Sequence, residues 1–153
     1  MLSWKLLGIL LATCLVAVLS RAQSLPTPPN LAGKWVLVKG SGDADGPLGR
    51  EGIITQTRNT VTFRSSTATR PIAIPFDGSK TRVQDENGPV LWEYQGSWIG
   101  FAFVVSMKGT GRGFEDLMVV TPSGPGTMTM VIMRTPIASG KVMHTSVLTY
   151  EKS

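Results

Sequence analysis

Thr57-Arg58-Asn59-Thr60-Val61-Thr62-Phe63-Arg64-Ser65 decides how this chain of 153 residues is read. Val61 and Phe63 fall on one side of an extended run, while Thr60, Thr62 and Arg64 fall on the other, so one face is buried and one is wet. Arg58-Asn59 ahead of it suits a two-residue hairpin loop, because asparagine tolerates positive φ. The same period recurs at Val90 to Gln95, where Val90, Trp92 and Tyr94 oppose Glu93 and Gln95. Working outward, short β-rich runs separated by Gly, Asn, Asp or Pro cover the chain from Leu31 onward. They are Lys34 to Lys39, Gly52 to Thr57, Thr60 to Ser65, Pro71 to Phe76, Lys80 to Val83, Val90 to Gln95, Trp98 to Met107, Phe114 to Thr121, Met128 to Thr135 and Val142 to Glu151. No helical stripe interrupts them. Asp77-Gly78, Asn87-Gly88, Ser123-Gly124 and Ser139-Gly140 supply further turns. Short connections make chain neighbours sheet neighbours, which predicts an all-β, antiparallel up-and-down meander closed into a barrel of 8–10 strands. Closure removes the two unpaired edges.

The N-terminus reads differently. Lys5, the apolar run Leu6 to Leu19 and the small residues of Ser20-Arg21-Ala22 form a cleavable signal peptide over residues 1–22. The run is too short for an ordinary bilayer span, so no permanent membrane span is expected. Leu11-Ala12-Thr13-Cys14 is a poor lipoprotein box, since Thr13 is large and the apolar run continues past Cys14. Residues 23–30 are a proline-rich leader, expected outside the fold, and residues 31–153 form the domain. The expected location is secreted or periplasmic. Cleavage takes 22 residues together with Lys5 and Arg21, leaving 131 residues at net charge +3.

Composition excludes several classes. One histidine and one cysteine, the latter in the signal peptide, cannot make a histidine or thiolate metal cage or a disulfide framework. The cations are scattered from Lys34 to Lys152 without a patch, so no nucleic acid is expected. Arg64, Arg82 and Glu93 on outward faces argue against an outer-membrane barrel.

Leu31-Ala32-Gly33-Lys34-Trp35-Val36-Leu37, then Thr57 to Phe63, Phe76-Asp77-Gly78, Trp92-Glu93-Tyr94-Gln95-Gly96 and the closing Leu148-Thr149-Tyr150-Glu151-Lys152 resemble, in that order, the calycin barrels, the group of lipocalins and fatty-acid-binding proteins. The resemblance spans residues 31 to 152 and is stronger to small exported bacterial lipocalin-like proteins of unassigned activity. It implies a binding protein for a small hydrophobic ligand. The chain departs from the fatty-acid-binding pattern in two places. Gly40 to Gly49 is too short and glycine-rich for that family's two-helix lid, and Leu148 stands where an arginine would hold a carboxylate two residues before Tyr150.

By parity, Val61, Phe63, Ile72, Ile74, Phe76, Trp92, Tyr94, Met128, Met130 and Ile132 line an oily, uncharged hollow, with His144, Leu148 and Tyr150 on the last strand as further ligand contacts. The expected partner is a small apolar molecule, held by area burial and oriented by Tyr150 and His144. The alternative is a barrel filled by its own Met, Phe and Trp side chains, serving as a structural or interaction module. No catalytic set is expected, because His144 lacks a nucleophile and an orienting acid at a telling spacing, and adjacent Glu115 and Asp116 leave opposite faces. No cofactor is expected. Lys108 to Gly113 resembles a phosphate loop only superficially, since a strand follows it. Trp98 to Met107 is apolar on both faces, with Ile99, Phe101, Phe103, Val105 and Met107 against Trp98, Ala102 and Val104. This makes it a central strand covered by a loop or by the leader, or a surface for a partner or for a homodimer.

Overall fold

The structure, a computed structural model, describes residues 27–41, 46–85 and 88–153. Residues 1–22, expected to be a signal peptide, and the start of the expected leader lie outside the described residues. Ten strands follow one another: β1 Gly33–Ser41, β2 Glu51–Gln56, β3 Thr60–Ser65, β4 Ile72–Pro75, β5 Asp77–Gln84, β6 Leu91–Ile99, β7 Ala102–Gly109, β8 Phe114–Gly124, β9 Thr127–Pro136 and β10 His144–Lys152. They form one antiparallel sheet ordered β4-β3-β2-β1-β10-β9-β8-β7-β6-β5. The first strand pairs with the last through Trp35↔Lys152 to Ser41↔Val147, and this curls the meander into a barrel.

The strands alternate as the sequence demands. In β9, Met128, Met130 and Ile132 are buried while Thr127, Thr129 and Val131 are half-exposed, and β3, β7 and β8 repeat the pattern. Polar faces carry cross-strand charge pairs such as Lys80 and Arg82 on Glu93, at 2.7 and 3.2 Å. Such exposed pairs contribute little to stability, and they hold Glu93 below the usual carboxylate range. The leader is not wholly detached. The Gln56 amide donates to the Pro29 carbonyl at 3.1 Å and accepts from the Leu31 N–H at 2.9 Å. Leu31 is thereby buried, and its carbonyl accepts from Trp35 Nε1 at 2.9 Å.

Three expectations change. Trp98 to Met107 is not one strand: Gly100, at φ 59°, turns the chain between Ile99 and Ala102. A glycine at the first turn position followed by ordinary negative φ matches the twist of a tight hairpin, and glycine, lacking a Cβ, takes that φ at no steric cost. Ile99 and Phe101 therefore stand exposed at a hairpin tip, while Phe103, Val105 and Met107 point inward on β7. A homodimer through a continuous Trp98–Met107 strand has no strand to use. In the β2–β3 turn, Asn59 does not adopt positive φ; the Thr57 hydroxyl instead accepts from the Asn59 and Thr60 N–H groups at 3.3 and 3.2 Å. Finally, Asp77-Gly78 makes no hairpin. β4 runs through Phe76 straight into β5, and no ladder joins the two, so the barrel keeps a seam there. Pro71 and Pro75 on one lip, with Asp77, Lys80 and Arg82 on the other, discourage foreign strands from pairing with those edges.

Candidate functional site

The residues expected to line the hollow are brought together inside the barrel. Val61, Phe63, Met128, Met130 and Tyr150 have no exposed surface, and Ile74, Ile132, Leu148 and Tyr94 have almost none. Ile72, Phe76 and Trp92 pack half-buried against this core. The hollow is crossed by direct contact. Phe63 on β3 stacks on Phe103 of β7 with ring centroids 6.3 Å apart, and Phe103 meets Trp98 at 5.2 Å, which in turn meets Phe76 edge-on at 6.4 Å. Phe103 is absent from the expected lining because Trp98 to Met107 is apolar on both faces, so its period does not say which face is inward. Gly96 lets β4 and this cluster close up, since a Cβ there would lie 2.6 Å from Ile74 Cγ2 and 2.8 Å from Phe103 Cζ. Trp98 Nε1 is buried there without a hydrogen-bond partner among the described residues.

The β1–β2 connection does more than its composition promised. Its described residues, 46–50, form a turn closed by the Gly49 N–H donating to the Gly46 carbonyl at 2.9 Å, and Leu48 is fully inside. Gly46 lies against Met130 and Leu148, where a Cβ would come within 2.7 Å of the thioether sulfur. The Tyr150 hydroxyl donates to the Gly49 carbonyl at 2.9 Å. Tyr150 thus fastens this plug.

The hollow is also not free of charge. Asp116 shares the inward parity of Met118 and Val120, and Arg134 that of Met130 and Ile132, so the two meet inside one mouth. Arg134 Nε and Nη2 each donate to an Asp116 oxygen at 2.8 Å, and the guanidinium lies 4.0 Å from the centre of the Phe114 ring. The Asp116 carboxylate raises the Arg134 pKa. His144 is the register partner of Arg134, and its Nε2 lies 3.2 Å from the Ser146 hydroxyl, which is fully buried. Among the described residues, no three His, Cys, Asp or Glu side chains gather as a metal site would require.

At the same mouth, the seam opens into a cleft of about 210 Å³ walled by Ala68, Arg70, Ile72, Val83, Gln84, Asp85, Trp92 and Tyr94. Its floor is apolar and its rim polar. Trp92 Nε1 donates to Asp85 at 3.4 Å, which fixes the indole against the wall. Burial, aided by the Asp85 charge, pushes the Tyr94 hydroxyl up to about 12. The neutral phenol is therefore favoured in the fold. Stability is unaffected below pH ~10, where the unfolded tyrosine begins to ionise, and falls between there and pH ~12. In an alkaline absorbance titration, the phenolate step removed by Tyr94→Phe is expected near pH 12, and its appearance at the ordinary tyrosine value would contradict the burial. Larger clefts lie on the outside of the sheet, among them one of about 250 Å³ beside Lys39, Gly40, Val147 and Thr149 and two more. Of these two, one, of about 310 Å³, runs beside Lys34, Glu51 and Arg64, and the other, of about 440 Å³, lies at the Lys108 to Arg112 hairpin tip. Gly111 at φ 74° turns that tip from β7 into β8, not into a helix.

No family model matches the chain, and no curated protein does. A solved structure does match: a secretory abundant heat soluble (SAHS) protein from Ramazzottius varieornatus, crystallised from a dimer sample. It is 13% identical with a TM-score of 0.58, and the match covers 85% of this chain and 100% of that one. The likeness is one of fold. With the ten-strand meander it shows that the two chains share an all-β, antiparallel barrel fold.

Proposed function

We propose that the chain is an exported, non-enzymatic barrel protein that takes up a small apolar molecule, and that it does so at the seam between β4 and β5. The cleft there carries the reading. It is the place where candidate lining residues Ile72, Trp92 and Tyr94 face open space, while Val61, Phe63, Met128 and Met130 touch only protein. An apolar floor with a few polar rim groups is the usual composition of small-molecule sites, where area burial supplies affinity at roughly 25 cal/mol per Å². The volume suits a compact ring system or a short alkyl segment better than a long acyl chain. Titrating the mature protein with a panel of hydrophobic dyes and lipids is expected to quench Trp92 fluorescence saturably. Ile72→Arg, at a half-buried position, should weaken that binding about tenfold or more while leaving the melting curve in place. Silence across the panel would overturn the reading.

The Phe63–Phe103 contact favours a second reading, in which the barrel is filled by its own side chains and acts as a structural or interaction module with no ligand. Equal dye binding by wild type and Ile72→Arg, or none by either, would leave that reading in possession.

A further inference from the structure

The exterior of this barrel is unevenly charged. On β1 to β3 it carries Lys34, Glu51 and Arg64, and on β5 and β6 it carries Lys80, Arg82 and Glu93, as a solvated sheet face should. On β7 to β10 it carries none over three successive rows. Register gives those rows directly. The central one runs Val104, Val119, Val131 and Val147 across the four strands. On one side of it run Ser106, Leu117, Met133 and Thr145. On the other, Thr121, Thr129 and Thr149 align. Leu117 and Val147 are 39% and 40% exposed, and the other valines and Met133 are half-exposed beside them. The charged rim resumes with the Lys108–Glu115 pair at 2.8 Å and with Lys39 beside Thr149.

We infer that this face binds a second copy of the chain. Two features of the face select that occupant. The first is symmetry. Read outward in either direction from the line between β8 and β9, the rows repeat themselves: Leu117 and Met133 flanked by Ser106 and Thr145, Val119 and Val131 flanked by Val104 and Val147, and beyond these valines Ser97 and Ser41 at the register positions. A two-fold axis along that line lays Val119 over the partner's Val131, Leu117 over the partner's Met133 and Thr121 over the partner's Thr129. An isologous interface needs a self-complementary patch of this kind. The second feature is size. Four strands about 4.8 Å apart and some six residues of about 3.4 Å rise make a face near 19 by 20 Å. Two such corrugated faces bury about 1,000 Å² in total, the lower bound for a specific interface. β-branched side chains, which lose little freedom on burial, suit sheet-on-sheet packing at roughly −30°. The inference does not depend on what the seam holds.

Sedimentation of the mature protein over a wide concentration range tests it. The expected result is a reversible monomer–dimer equilibrium. Val119→Lys with Val131→Lys should raise the dissociation constant by about 100-fold or more, because each lysine is buried twice per dimer. Val147→Lys, at a position already open to water, should weaken the dimer too and serves if the double variant folds poorly. Ile53→Lys, exposed on β2, should leave the dimer unchanged. Circular dichroism and the dye titration at the seam should not move in any folded variant. A monomer at every concentration overturns the inference, as does a dimer that survives Val147→Lys together with the double variant. A monomer that co-sediments with phosphatidylcholine vesicles through this face overturns it as well.

Discussion

Phe103→Ala is expected to lower the stability of the fold by about 3–5 kcal/mol, the largest loss of any single substitution considered for this barrel. Phe103 has no exposed surface, it joins Phe63 from the far side of the hollow to Trp98 on its own, and its ring occupies the space left open by Gly96. Truncation removes the ring's transfer free energy and leaves a void that a sheet tied by ladders on both sides of β7 cannot collapse around. Urea unfolding should show a lower midpoint at an unchanged slope. The void should also be dry, and a small aromatic such as benzene should raise the midpoint of the variant but not of the wild type. A loss below about 1 kcal/mol would mean that the hollow is not packed at this level.

The second large effect is expected from Arg134→Ala. Asp116 is 6% exposed and spends both carboxylate oxygens on Arg134. Removing the guanidinium leaves an uncompensated charge inside the mouth. Arg134 itself keeps contact with water, so the effect is placed at about 2–3 kcal/mol, below that of a fully buried pair. Asp116→Asn combined with Arg134→Met should recover much of the loss, because the partner left behind, rather than the missing attraction, dominates the single variant. Equal stability of the single and double variants would show that water reaches Asp116 and that the mouth is open.

The strand pattern was legible because alternation is a local property. Val61 and Phe63, or Met128 and Met130, declare their face from two neighbours in sequence. What crosses the hollow is not local. Nothing near Phe103 says that Phe63 will stack on it, and nothing near Asp116 says that Arg134, 18 residues away, will stand opposite it in register. The misreading of Trp98 to Met107 has a different cause. Both arms of that hairpin are apolar, so the period carries no break, and the single glycine at position 100 was the only mark of the turn. The plug is not legible in the sequence because a glycine-rich loop carries no period, whereas Leu48 is held by the tertiary fit of Gly46 and Gly52 to their neighbours. The seam could not be foreseen from a rule that pairs consecutive strands, since β4 and β5 are consecutive and unpaired.

The seam divides the sheet into two local meanders, β1 to β4 and β5 to β10, each able to pair as it is made. They are joined along the chain at Phe76, where no ladder forms, and side to side through β1 and β10 alone. The last strand is consequently a fastener: until His144 to Lys152 is in place, the N-terminal quartet has no lateral partner, and the enclosure exists only when the polypeptide is whole. A chain rejoined at its ends and opened at the seam would keep every ladder while making each of them sequential.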